Sequence, residues 1–150
     1  MARSGSSLNF PDIRAFVLLN RRLIEKYGGD FQGVDNLLNR GSLEWVLDAI
    51  QHPFFGYDPY PTIAHKAALI AWAINDGHVF IDGNKRTSMF ASILFLDVNG
   101  YQLIASSAEI VHIAISIATK NETGYTYADL VDWYKTHIQE KNQPLTFTLG

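Results

Sequence analysis

The segment IAHKAALIAWAI, residues 63–74, gives a helix almost no face to turn toward water. Ile63, Ala67, Leu69, Ile70, Trp72, Ala73 and Ile74 spread around the helix instead of lining one stripe. A helix of that kind belongs at the centre of a bundle, with other helices laid around it. Thr62 is placed to cap its start, and Asp76-Gly77 stops it.

The rest of the chain supplies the surrounding helices. Ile13, Phe16, Val17, Leu19, Leu23, Ile24 and Tyr27 recur at helical spacing, with Asn9 as cap, Pro11 in the first turn and Gly28-Gly29 as stop. Ser42 is expected to cap a helix carrying Leu43, Trp45, Val46, Leu47 and Ile50, which ends before His52-Pro53 because a residue ahead of proline avoids helical geometry. A further helix starts near Asn84 or Lys85 and runs to about Val98, where Asn99-Gly100 ends it. YQLIA then reads as a short extended piece. Ser106 and Glu109 form a capping box ahead of Ile110, Ile113, Ala114 and Ile117. Thr126 to Asp129 opens a last helix through Leu130, Val131, Trp133, Tyr134 and Ile138. Residues 30–41 are polar and punctuated by Gly, so they read as a loop or a short strand pair. The stretch 54–61, FFGYDPYP, reads as a rigid aromatic connection. The expected fold class is all-α, a single bundle of about six helices.

Length and composition agree. The 150 residues suffice for one domain with a substantial core, and 47% hydrophobic against 18% charged residues is a globular balance. The domain is expected over 9–142, behind a flexible Ser-Gly-Ser-Ser lead-in over 1–8 and ahead of an irregular tail over 143–150. A net charge of −3 gives no electrostatic case for direct nucleic-acid binding. The absence of cysteine excludes disulfides, thiolate metal sites and a cysteine nucleophile. No stretch reads as a secretory signal or a membrane span, so the expected location is cytoplasmic.

The chemistry gathers in HVFIDGNKRT, residues 78–87. Asp82-Gly83-Asn84 is a turn, and Gly83 supplies a positive φ at little cost. The helix that follows opens with unpartnered backbone N–H groups at its positive pole. Lys85 and Arg86 stand at that pole, where cations cost about 0.3–1 kcal/mol each unless an anion joins them. A phosphate satisfies all of these donors at once. Asp82, one position before the Gly83-Asn84 mouth, is a carboxylate suited to Mg²⁺ beside phosphate. His78 is suited to take a proton from an attacking hydroxyl, and Val79 and Phe80 would anchor its loop in the core. Together these groups make up the parts needed to transfer a phosphorus-containing group to a hydroxyl.

This stretch resembles the signature of the Fic/Doc superfamily, His-x-Phe-x-(Asp/Glu)-(Gly/Ala)-Asn-(Gly/Lys)-Arg, matched at His78, Phe80, Asp82, Gly83, Asn84 and Arg86. EKYGG at 25–29 and FLDVNGY at 95–101 extend the likeness. Lys85 stands where AMP-transferring members carry glycine, and Met89 where they carry a second arginine, so the resemblance points to the Doc (death-on-curing) toxin branch. It implies ATP and Mg²⁺ as cofactors and transfer of the γ-phosphoryl group to a Ser/Thr hydroxyl. The implied target is translation elongation factor Tu, with arrest of translation. It also implies His78 as general base, Asp82 as Mg²⁺ holder, Arg86 as a catalytic cation, and Gly83, Asn84, Lys85, Arg86 and Thr87 around the phosphates. Residues 30–41 fall where the family has a flap that guides the target peptide.

Thr136-x-x-x-Glu140 approximates the family's inhibitory helix but ends in Lys141, and is read as a coincidence on the last helix. Without an internal brake, the resemblance implies an antitoxin helix bound in a groove. His52, His65, His112 and His137 show no metal-ligand spacing and read as structural or surface residues. Three other readings remain open. One is an adenylyltransferase on the same fold, and another a silent anion- or nucleotide-binding module. The last, an unrelated metal hydrolase, is disfavoured because one His and one Asp are too few ligands.

Overall fold

The computed structural model describes residues 8–141. Apart from Leu8, the expected lead-in and tail therefore lie outside the described residues. The chain forms α1 (Ile13–Tyr27), α2 (Arg40–Gln51), α3 (Ile63–Asp76), α4 (Asn84–Val98), β1 (Tyr101–Leu103), α5 (Ser107–Ala118), α6 (Lys120–Thr123), α7 (Tyr127–His137) and β2 (Ile138–Glu140). It is a helical bundle with one small antiparallel pair, in which Tyr101 faces Glu140 and Leu103 faces Ile138.

α3 is the centre that its sequence demands. It packs most extensively on α4, and also against α7, α2 and α5. Ala67, Ala68, Ile70, Ala71 and Ile74 are fully enclosed, and the small residues let neighbouring helices come close. Thr62 caps α3 by accepting from the His65 N–H, as expected. A charged residue inside this helix, Lys66, is buried and paired with Asp58, and its ammonium also donates to the Tyr60 carbonyl. That satisfied pair ties the 53–61 connection to the core.

Several local expectations need correcting. Asp12, not Asn9, caps α1, accepting from the Ala15 N–H at 3.0 Å. Asn9 is drawn instead to the end of α4, where its N–H donates to Asn99 Oδ1 and its amide to the Val98 carbonyl. α2 begins at Arg40, ahead of Ser42, because Asn39 is already held by Gly77 and His78. Ile138 leaves the last helix for β2, where β1 offers a strand edge to pair with. The single turn α6 is an additional element that the periodicity did not reveal. The expected capping box forms at Ser106–Glu109, and Thr126–Asp129, read as opening the last helix, forms a second one. Since 138–140 is a strand, the Thr136–Glu140 stretch is not one helix, and its likeness to an inhibitory helix ends there. Among the described residues, no helix is long and apolar enough to cross a membrane.

Candidate active site

The turn between α3 and α4 is built as a rigid bracket. Val79 and Phe80 are fully buried and hold it in the core. Its backbone groups find partners on three sides. Asn39 donates to the Gly77 and His78 carbonyls at 2.8 and 3.0 Å. Val79 O accepts from Leu38 and Asn39, and the Ile81 N–H donates to Asn36 O. Asn84 closes the turn on itself, accepting from the Phe80 N–H and donating to the Phe80 carbonyl. Beneath it, the fully buried Asn20 donates to the Asp82 carbonyl and to Thr87 Oγ1, and accepts from Asn36. The loop 30–39 is thus stitched along the turn, with Leu37 bridging Phe80.

Held this way, His78 has φ 47°, a conformation that costs a residue with a side chain about 1–3 kcal/mol. The ring is exposed, and its Nδ1 lies 3.3 Å from the Asn75 carbonyl. A carbonyl only accepts, so Nδ1 carries the proton and Nε2 is left as the basic nitrogen. Gly83 has φ 79°, and a Cβ there would meet the Asn20 amide at 3.1 Å. It opens α4 with no side-chain cap and no acidic residue in the first turn, unlike α5 and α7. Lys85 and Arg86 are exposed at this mouth, and neither makes an ion pair among the described residues.

His78, Asp82, Gly83, Asn84, Lys85 and Arg86 line one open cleft of about 840 Å³. The end of α3, with Asn75 and Asp76, and the segment of Ile117, Ala118, Lys120 and Asn121 complete the lining, together with Ile81. Two expectations change. Thr87 is fully buried with its hydroxyl on Asn20, so it supports the turn and does not line the cleft. The Asn84 amide is spent on Phe80, so what this residue offers the cleft is its backbone N–H. His65 and Lys66 do not line the cleft either. His65 Nδ1 sits on Thr62, while Lys66 is buried with Asp58.

Asp82 accepts the Gly83 N–H on Oδ1 and the Asp30 N–H on Oδ2, each at 2.8 Å. Every carboxylate oxygen keeps a lone pair, so the group fits as a single protein ligand to Mg²⁺ whose other positions go to phosphate and water. The cleft's second carboxylate, Asp76, is paired with Lys120. Among the described residues, no cluster of three or more His, Cys, Asp or Glu could hold a metal by itself.

Asn20, Asn39 and the Lys120-Asn121 turn were not foreseen. Asn20 had a signal: it is an amide on the apolar face of α1, in line with Phe16, Leu23 and Ile24.

One bracket of this helical bundle thus carries a histidine, a carboxylate and a cationic helix start without a side-chain cap. The profile of the Fic/DOC family matches residues 10–96, more than half of the chain, and the chain belongs to that family. It is similar to "Toxin Doc" of Mycolicibacterium smegmatis, 36% identical over 75 residues, which are 50% of this chain and 58% of that protein. It is also similar to "Protein kinase doc" of Escherichia phage P1, 27% identical over 113 residues, 75% of this chain and 85% of that protein. Both names lie on the Doc side of the family.

Proposed function

We propose that this chain is a Doc-type toxin acting as a protein kinase, moving the γ-phosphoryl group of ATP to a Ser or Thr hydroxyl on a protein target. The observation that carries the reading is the pair Lys85 and Arg86, exposed and without an acid partner among the described residues, opening on the same cleft as His78 and Asp82. Met89 supports phosphoryl over adenylyl transfer: where AMP-transferring family members carry a second arginine, this chain has a buried thioether. The names of the two relatives support the toxin and kinase parts of the reading.

In this reading the target hydroxyl approaches the γ-phosphorus while Nε2 of His78 takes its proton. The new O–P bond forms as the bond to the bridging oxygen of ADP breaks, and ADP leaves. Backbone N–H groups at the start of α4, with Lys85 and Arg86, hold the phosphate oxygens in line. Asp82 is the residue that would hold Mg²⁺, which supplies charge neutralisation on those oxygens when bound. The loop 30–39, bonded along the turn, serves as the edge on which a target segment is laid.

Elongation factor Tu is the expected target. The expected inhibitor is an antitoxin segment that docks as a helix. A groove of about 490 Å³ suits it, lined by Met89, Phe90, Ile110, Val111 and Ile115 together with Tyr27, Lys85 and Arg86.

The test is a pair of labelling reactions with Mg²⁺ and elongation factor Tu, one with γ-labelled and one with α-labelled ATP. The expected outcome is γ-label on the target, lost in His78→Ala. Label from the α-phosphate would replace this reading with adenylyl transfer, and no label in either reaction would favour a binding module.

A further inference from the structure

The turn that ends α1, Tyr27-Gly28-Gly29-Asp30, touches two groups of opposite charge in the site, Arg86 and Asp82. The Arg86 guanidinium lies over the Tyr27 ring, 4.3 Å from its centre. The Asp30 N–H donates to Asp82 Oδ2 at 2.8 Å. Between them, Gly29 has φ 132° and stands so close that a Cβ would come within 2.8 Å of the same oxygen.

We propose that this turn is a positioning element of the site, in which Tyr27 holds Arg86 by its ring face while the Asp30 N–H holds Asp82. The proposal rests on the phosphate-handling role argued above. An exposed arginine is a long, mobile side chain, and the common way to fix one is a carboxylate. A carboxylate partner would neutralise the cation and occupy the N–H fork that a phosphate needs. An aromatic face does neither, because it attracts the guanidinium through the ring's quadrupole and leaves the N–H edges free. Arg86 has no acid partner among the described residues, so its charge stays available. The Lys26 ammonium sits 5.2 Å from the same ring, farther than Arg86. On the other side, one N–H per oxygen orients Asp82 without using up its lone pairs.

The test uses the full chain with Tyr27→Phe, Tyr27→Leu and Tyr27→Glu, each made alone and combined with Arg86→Ala. The probe is Mg²⁺-ATP, its affinity read by calorimetry. Alongside it, the Arg86 Nε–H resonance of the unliganded protein reports the ring current of Tyr27. Tyr27→Phe is expected to keep both the ring-shifted resonance and the affinity. Tyr27→Leu is expected to lose the shift and weaken binding roughly two- to fivefold. Tyr27→Glu is expected to weaken it further, by neutralising Arg86. In the Arg86→Ala background, Tyr27→Leu is expected to add nothing.

An unshifted Arg86 resonance in the wild-type protein would overturn the proposal, as would an equal loss from Tyr27→Leu with and without Arg86, or a wild-type chain that does not bind ATP. The outcome separates from that of the kinase reading. Coupling between Tyr27 and Arg86 in ATP binding, with no γ-label transferred, would sink the kinase and keep the positioning role. Transfer without coupling would do the reverse.

Discussion

Asn20 is buried among apolar neighbours and has all of its hydrogen bonds on the signature turn and the loop beside it. Asn20→Ala would take the partner from the buried Asn36 amide and the buried Thr87 hydroxyl, and from the partly buried Asp82 carbonyl. The expected cost is about 1–3 kcal/mol for each group left unsatisfied, read by urea unfolding. Transferase activity should fall further than stability alone explains, because the carbonyl it holds belongs to Asp82. The composition of the motif was legible in the sequence, since His78, Asp82, Lys85 and Arg86 are the residue types that phosphate chemistry requires and they sit together in the chain. The bracket around them was not, because Asn20, Asn36 and Asn39 act across separations that no local pattern encodes. Thr87 shows the same limit from the other side: its place in the motif suggested a ligand, and its packing makes it a support.

At the level of single elements, α4 is defined by its unprotected start. Lys85→Ala should leave the helix intact and weaken ATP binding on the order of tenfold or more, as loss of a charge-assisted contact does. Unchanged affinity in calorimetry would show that the ammonium does not reach the nucleotide. α1 differs, with its start held by Asp12. The Ala15 N–H bonded to this carboxylate keeps its pKa below the ordinary value. A depressed carboxylate contributes stability above its unfolded pKa and loses it as pH falls through the folded one. The melting temperatures of wild type and Asp12→Ala should therefore differ at neutral pH and converge in acid. Helix interiors and most of their ends were readable, because periodicity and caps are local signals; Thr62 and Ser106 cap as expected, and the last helix opens at Thr126. The cap at Asp12 was not recognised, because Asn9 and Pro11 make an equally good local signal and it is Asn99 that draws Asn9 away.

For the molecule as a whole, the apolar central helix set the architecture, and the bundle follows from the need to cover it. One polar exception within that helix is instructive. Lys66 is buried with Asp58, so Asp58→Ala strands an ammonium in the interior and should cost about 3 kcal/mol. Lys66→Met removes the charge with its cost of burial, and thermal unfolding should place it well above Asp58→Ala. The β1–β2 pair could not be foreseen from either strand alone, since three residues carry too little pattern and only their meeting makes a sheet. That meeting brings the ends of the described chain together. Lys141 N–H donates to the Gly100 carbonyl, and Asn9 N–H donates to Asn99 beside it. Both lie at the far end of α4 from His78, across a helix of 15 residues, roughly 22 Å long. The fold is therefore expected to tolerate being re-cut: joining residues 9 and 141 through a short linker and opening the chain between Phe55 and Tyr57 should give a circular permutant that keeps the cleft at His78, read by a thermal unfolding transition close to that of the parent chain.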